Sequence, residues 1–353
     1  MNALRFLTYV LILAGLTACG QDADAPEAVE QGPTEEQYQL NAMLMGEPPS
    51  ERTFVDIEVD RTVTISATEN VTLFNPVVIW YLKDGNIYVW DGGDFRIKAF
   101  TPEGQHVGTF GDGRGQGPGQ FQVAMTLEIQ QDSLFLFDPT SRRFSYFHKD
   151  GTLGRTEKIE TSVTDYAQSM DNTVYLMFDG PEVNPYVSVM PQGGRSHRFE
   201  DLMSRDVPNI VFDGRLHAAS SQGIHIPYYY PVLLAFAPDD SLARAYPTPD
   251  YGTAPLPEPR TSGEGFSRSV RPPLSETRLH WGSEVNDEVL AVQIRSREQG
   301  VFLFDIYDAW SLTYQHTARI PAGLLSKAQL AYEDGLLVTH SDTTVAVHHL
   351  TMD

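Results

Sequence analysis

Cysteine is all but missing: the 353 residues contain one, Cys19, near the start. An intramolecular disulfide is excluded, and so is any metal cluster built on thiolates. Positive charge is also scarce, with 25 Lys and Arg against 47 Asp and Glu, a net charge of −22. Such a surface repels phosphate backbones, and no basic stripe interrupts it, so no nucleic acid partner is expected. The charge also serves solubility, and basic or neutral partners or cations stay open. No stretch after residue 50 keeps an apolar period of 3.6 over three turns, which argues against a helical layer. Catalytic signatures are absent too. There is no His-Glu-x-x-His, no Gly-x-Ser-x-Gly and no Asp-x-Asp-x-Asp-Gly calcium loop, so no catalytic residue, metal or cofactor is expected.

The longest apolar run lies at the very beginning. Arg5 precedes Leu7 to Leu16, which as a helix spans about 15 Å, half of a hydrocarbon core of roughly 30 Å. A basic start, a short apolar run and small residues after it form a secretory signal. Its ending, Leu16-Thr17-Ala18-Cys19, resembles the lipobox of bacterial lipoproteins. That resemblance implies a signal peptide over residues 1–18 and a diacylglyceryl group on Cys19, which becomes the mature N-terminus. Stable anchoring takes more than one acyl chain, which this modification supplies. Gly20, rather than Asp, after the cysteine implies sorting to the outer membrane of a Gram-negative envelope.

Residues 19–50 read as the lipidated N-terminus and a disordered acidic linker. From residue 20 they hold seven acids, no Lys or Arg, and Pro26, Pro33, Pro48 and Pro49. High charge with little to bury leaves such a segment unfolded. Only residues 37–45, with Tyr38, Leu40, Met43, Leu44 and Met45, have the apolar content for one short helix or a partner-binding segment.

Residues 51–353 show a repeat. Asn86-Ile87-Tyr88-Val89-Trp90-Asp91 and Ser133-Leu134-Phe135-Leu136-Phe137-Asp138 begin 47 residues apart, and Thr173 to Phe178 continues the series. Further strand-like runs, Phe95 to Phe100 and Phe144 to His148, sit between them, with Glu-Gly and Asp-Gly turn signals. Four short strands per unit of 40 to 50 residues, without a helix, predict β-propeller blades. About 300 residues divided by about 50 gives six. The expected fold is therefore all-β: a six-bladed propeller of four-stranded antiparallel blades. Blade four runs from Ile210 to Tyr246 and blade five from Arg278 to Ile320. Blade six, Ala328 to Leu350, ends one strand short, so Phe54 to Val59 or Val63 to Ser66 is expected to close the ring.

Val77 to Ile159 resembles the six-bladed β-propeller lipoproteins related to NHL-repeat proteins. Three stretches carry the resemblance: Asp84 to Asp91, Ile97 to Gly104, and Gly111-Asp112-Gly113-Arg114-Gly115-Gln116-Gly117-Pro118-Gly119-Gln120-Phe121. It covers about a quarter of the chain and implies fold and export, with no activity and no catalytic residues attached. The glycine-rich element lacks a Gly-Lys-Ser/Thr ending and leads into a strand, so no helix dipole is available for a phosphate. Its expected role is steric, a tight crossover anchored by Phe121.

Two places suit ligands. Thr248 to Ser275 is long for a connection and locally basic, with Arg260, Arg268 and Arg271, and Arg278 just beyond; these suit an anionic ligand or, alternatively, pairing with nearby acids. Tyr228, Tyr229 and Tyr230 are aromatic platforms for sugar rings or, equally, packing residues. His217, His225, His280 and His340 reach the channel if their blades align; His348 and His349 point to opposite faces of one strand. The function expected from these features is a membrane-anchored, non-catalytic binding or assembly module for a protein or glycan. The alternative is a propeller enzyme, a metal-dependent lactonase, lyase or glycan-cleaving protein, with its site at the channel mouth.

Overall fold

The computed structural model describes residues 43–65, 71–82, 84–130, 133–159, 163–169, 173–180, 183–190, 195–198, 213–219, 222–237, 243–254, 260–262, 269–271, 278–285, 288–296, 300–321, 327–331, 335–341 and 343–351. Cys19 and the signal and linker before residue 43 lie outside the described residues. No helix occurs among those described.

Three strands precede the first blade: β1 (Met43–Leu44), β2 (Phe54–Asp56) and β3 (Glu58–Ile65). Blade one is β4 (Pro76–Tyr81), β5 (Ile87–Asp91), β6 (Arg96–Phe100) and β7 (His106–Phe110). Blade two is β8 (Thr126–Gln130), β9 (Ser133–Asp138), β10 (Arg143–His148) and β11 (Leu153–Lys158). Blade three is β12 (Val163–Gln168), β13 (Val174–Gly180), β14 (Val183–Met190) and β15 (Arg195–Arg198). Blade four is β16 (Gly214–Ala219), β17 (Gln222–Pro227), β18 (Val232–Phe236) and β19 (Arg244–Pro247). A two-stranded excursion follows, β20 (Arg260–Ser262) with β21 (Ser269–Arg271). Blade five is β22 (His280–Val285), β23 (Val289–Ile294), β24 (Val301–Asp308) and β25 (Tyr314–Pro321). Blade six takes β26 (Lys327–Ala331), β27 (Leu336–His340) and β28 (Val345–Thr351) from the C-terminus, and β3 as its fourth strand. The chain is a six-bladed β-propeller.

Alternation explains why the second strand of each blade reads as a continuous apolar run. Successive side chains point to opposite faces, and both faces of a blade are covered. In β5, Ile87 and Val89 pack toward blade six while Tyr88 and Trp90 pack toward blade two. In β9, Leu134 and Leu136 face blade one while Phe135 and Phe137 face blade three. In β18, Val232, Leu234 and Phe236 face blade three, and Leu233 and Ala235 face blade five. Each seam between neighbouring blades has its own apolar cluster, including the one joining blade six to blade one through Val338, Val345, Ile79 and Val89.

Closure comes from β3, antiparallel to β28 from Val345↔Ile65 to Thr351↔Glu58. The N-terminal segment does more than the repeat alone predicts. β2 adds to β25 as a parallel fifth strand of blade five, and β1 adds to β19 as a parallel fifth strand of blade four. Met43 and Leu44 thus belong to a blade edge, upstream of residue 51 and extended rather than helical. The acidic linker composition surrounding them masks a strand of two residues, too short to show a period.

Arg52 locks this strap. Its guanidinium forks onto Asp250 at 2.8 and 2.7 Å and onto Asp305 at 3.1 and 3.0 Å. Burial alone would lower its pKa; the hydrogen bonds to Asp250 and Asp305 outweigh this and hold it above the ordinary value. Asp305 is buried on β24 and also accepts the Thr317 hydroxyl at 2.6 Å. Blades four and five and the strap therefore meet at one charge.

Candidate functional site at the channel mouth

In an antiparallel meander every first strand starts at the same rim of the ring. That rim also collects the turns between second and third strands and the crossings between blades. The first strands line the channel and touch around it, β8 with β12, β12 with β16, β16 with β22, and β22 with β26. One mouth thus gathers the glycine-rich loop, the crossing between blades four and five, and Tyr228 to Tyr230.

The glycine-rich loop is held as scaffold. Gly111, Gly113 and Gly119 have φ of 93°, 91° and 75°, and a Cβ on Gly111 would lie 2.5 Å from the buried Phe121 ring. Arg143 donates to the carbonyls of Gly117 and Gln116 at 2.6 and 2.7 Å. The loop's carbonyls are thereby turned toward a protein cation rather than presenting amides to an anion.

Arg215, second in β16, is the central feature. Its Nη1 lies 2.7 Å from the Met125 sulfur. Met125 directly precedes β8 of blade two, whereas Arg215 belongs to blade four. The two blades are separated by blade three, so the contact joins next-but-one blades at the rim where their first strands begin. The Tyr228 phenol is the largest influence raising the Arg215 pKa, against the opposing cost of burial, with Asp165 and Asp213 adding to it. Asp165 does not bond Arg215. It accepts the Leu216 and Tyr166 amides, both at 2.9 Å, and the Thr126 hydroxyl at 3.1 Å, tying blades two, three and four. Burial raises its pKa.

Below Arg215, His217 Nε2 and Ser283 Oγ share a hydrogen bond of 2.7 Å between blades four and five. Burial first, then Arg215 and His225, push the His217 pKa down to about 3, so the imidazole is neutral at ordinary pH. Burial pushes the Glu284 carboxyl well above the usual carboxylate range. Both residues retain some solvent exposure although protein surrounds them, as befits groups lining a channel. His280 donates from Nδ1 to the Pro227 carbonyl at 2.6 Å. His348 sits between the Thr62 and Thr339 hydroxyls at 2.9 and 2.8 Å. His225 and His340 are buried. Among the described residues, no three His, Cys, Asp or Glu side chains form a metal-binding group.

The outer side of the mouth carries an aromatic stack. The Arg278 guanidinium lies 3.7 Å from the centroid of the Tyr228 ring and 5.2 Å from that of Trp281. Its Nε and Nη2 donate to the carbonyls of His280 and Trp281 at 2.8 and 3.2 Å. Trp281 is 43% exposed. The structure thus separates the three tyrosines. Tyr230 is enclosed in the seam between blades three and four, Tyr229 is buried, and Tyr228 alone joins the mouth. Arg260 and Arg271 occupy directly paired positions of β20 and β21 in the crossing that ends at Arg278; Arg268 lies outside the described residues. Arg215, Arg278 and Trp281 were not singled out as ligand residues by sequence reasoning. In sequence Arg278 is one more basic residue just beyond Thr248 to Ser275, and nothing local marks Arg215 or Trp281.

No protein-family model matches the sequence, and no curated protein matches it either. Solved structures do match. An exported protein of Bacteroides fragilis is 10% identical with a TM-score of 0.53, covering 85% of this chain and 100% of its own. A member of the DUF4221 family from Bacteroides vulgatus is 8% identical with a TM-score of 0.54, covering 86% and 99%. The fold is shared with both. At such identities the likeness extends to architecture alone. A streptogramin B lyase, 10% identical over 82% of this chain and 98% of its own, has a TM-score of 0.47.

Proposed function

We propose that this chain is an exported lipoprotein, anchored through Cys19 in the outer membrane of a Gram-negative envelope, whose propeller binds a glycan at the channel mouth without chemistry of its own. The observation that carries the ligand reading is the Tyr228–Arg278–Trp281 stack. An exposed indole backed by a guanidinium offers a flat apolar face beside hydrogen-bond donors, the pairing a pyranose ring presents in reverse. Arg278 is fixed by two carbonyls before any ligand arrives, so little side-chain entropy is lost on binding. The lipobox and the acidic stretch after it supply the anchor and the reach.

The test uses the mature chain with Cys19→Ala, purified as a soluble protein and passed over immobilised envelope polysaccharides. Retention is expected, and Trp281→Ala should weaken it about tenfold, which corresponds to about 1.4 kcal/mol. Failure of the parent chain to bind any polysaccharide would refute the glycan reading. In cells, Cys19→Ala should shift the protein from the membrane to the soluble fraction; continued membrane retention would count against the anchor.

A further inference from the structure

We infer that the mouth selects glycans bearing carboxylates, with Arg215 as the residue that grips the acid group; the inference rests on the glycan reading above and names its ligand class. The placement of Arg215 is the ground for it. Its side chain extends from blade four to Met125 of blade two, at the rim where the first strands of the blades begin. A guanidinium has five N–H donors in a planar fork suited to a carboxylate. Here one meets a thioether, a weak acceptor, and another bonds the Tyr228 phenol, with Asp165 and Asp213 acting through charge. No carboxylate among the described residues bonds it.

Two acids lie close enough to matter. Asp165 spends its oxygens on Leu216, Tyr166 and Thr126, and Asp213 sits at the head of β16. They hold Arg215 charged without filling its fork. The Ser283 hydroxyl, positioned by neutral His217, adds a neutral hydrogen-bonding group one step further in. On a chain of net charge −22, this rim gathers two cations, Arg215 and Arg278, through Tyr228. Removing Arg215 from water without a bonded carboxylate is costly unless a ligand supplies one. Arg278 and Trp281 would hold the sugar ring while Arg215 holds its acid.

The probes are oligogalacturonate and its fully methyl-esterified counterpart, titrated into the mature chain with Cys19→Ala. The acid form should bind at least tenfold more tightly, with the difference shrinking as salt rises. Arg215→Gln should abolish the difference while leaving the weaker binding of the ester. Met125→Leu, which removes the thioether and keeps the charge, should preserve the preference; both variants are checked for unchanged thermal unfolding. Equal binding of acid and ester by the parent chain overturns this inference and leaves the glycan reading intact. Binding of neither, together with no retention on envelope polysaccharide, overturns both. Retention on envelope polysaccharide without oligogalacturonate binding likewise overturns this inference and leaves the glycan reading intact.

Discussion

Individual charges decide more here than the overall acidity suggests. Arg52 is the clearest case, because it joins the buried Asp305 to Asp250 on a neighbouring blade. Truncating it leaves Asp305 with the Thr317 hydroxyl as its remaining described partner. Breaking a buried pair from one side costs about 3–5 kcal/mol, and some exposure of Arg52 reduces this. Arg52→Ala should therefore destabilise the mature chain by about 2–3 kcal/mol in urea denaturation; a loss within about 0.5 kcal/mol would mean the fork is idle. His217 makes a prediction in pH. Its pKa falls from 6.5 to about 3 on folding, so between those values the unfolded chain binds a proton that the folded one refuses. Stability must rise with pH across that window, and its contribution is lost as pH falls toward 3. His280, His316 and His348 are shifted the same way, each chiefly by burial. His217→Asn should flatten the slope of stability between pH 6 and pH 4; an unchanged slope would mean that channel water already protonates the ring. Little of this was legible beforehand. Sequence shows that His217 and Arg215 alternate on one strand, but the partners of both belong to other blades.

At the level of elements, the 47-residue spacing translates into matched turns. Asp91 and Asp138 end equivalent strands and each caps the chain entering its own blade. Asp91 accepts the Phe74 and Asn75 amides at 2.8 Å, and Asp138 accepts that of Gln122 at 2.7 Å. Phe95 and Arg142, again 47 apart, take the left-handed conformation at φ 58° and 51°. A bulky residue there is strained, and the neighbouring capped Asp fixes the turn that requires it. Asp91 also receives Lys98 at 2.6 Å. Burial opposes its ionisation, but Lys98 and the amides prevail and lower its pKa. That stabilisation is present above the ordinary Asp value and fades as pH falls through the lowered one. The strands of these blades were readable because both faces are buried and the apolar runs are unbroken. β1 and β2 were not, since strands of two and three residues carry no period and pair only through their backbones. Gly223 shows what else local pattern hides. It reads as a flexible strand residue, yet a Cβ there would lie 2.4 Å from the fully buried Tyr175 ring of blade three. Gly223→Ala should cost about 1–3 kcal/mol through overpacking, measured by the denaturation midpoint; a neutral result would show the seam between blades three and four to be loose.

The ring as a whole depends on a segment that lies far from its partners in sequence. Five seams join consecutive blades, and the sixth joins Leu336, Val338, Val345 and Val347 to Ile79, Ile87 and Val89. β3 takes part in that sixth seam through Ile65 and in the preceding one through Val59, with Ile57 beside it. Losing the strap upstream should thus differ in kind from losing β3. A mature chain beginning at residue 58 keeps the closing strand but forfeits β1, β2, the Arg52 fork and Ile57. It should fold with a lower unfolding midpoint. Beginning at residue 66 removes the fourth strand of blade six. That uncovers the β28 edge and takes Ile65 out of the seam, a loss of about 1.5–3 kcal/mol for one such buried side chain before any hydrogen bond is counted. An exposed apolar edge invites pairing with another chain, so this form should aggregate or unfold at lower denaturant. Adding a synthetic peptide of residues 43–65 should restore the midpoint. If the chain starting at residue 66 melts with the full-length one, the circle is held by blade-to-blade packing alone and the N-terminal strands are ornament on a ring already closed.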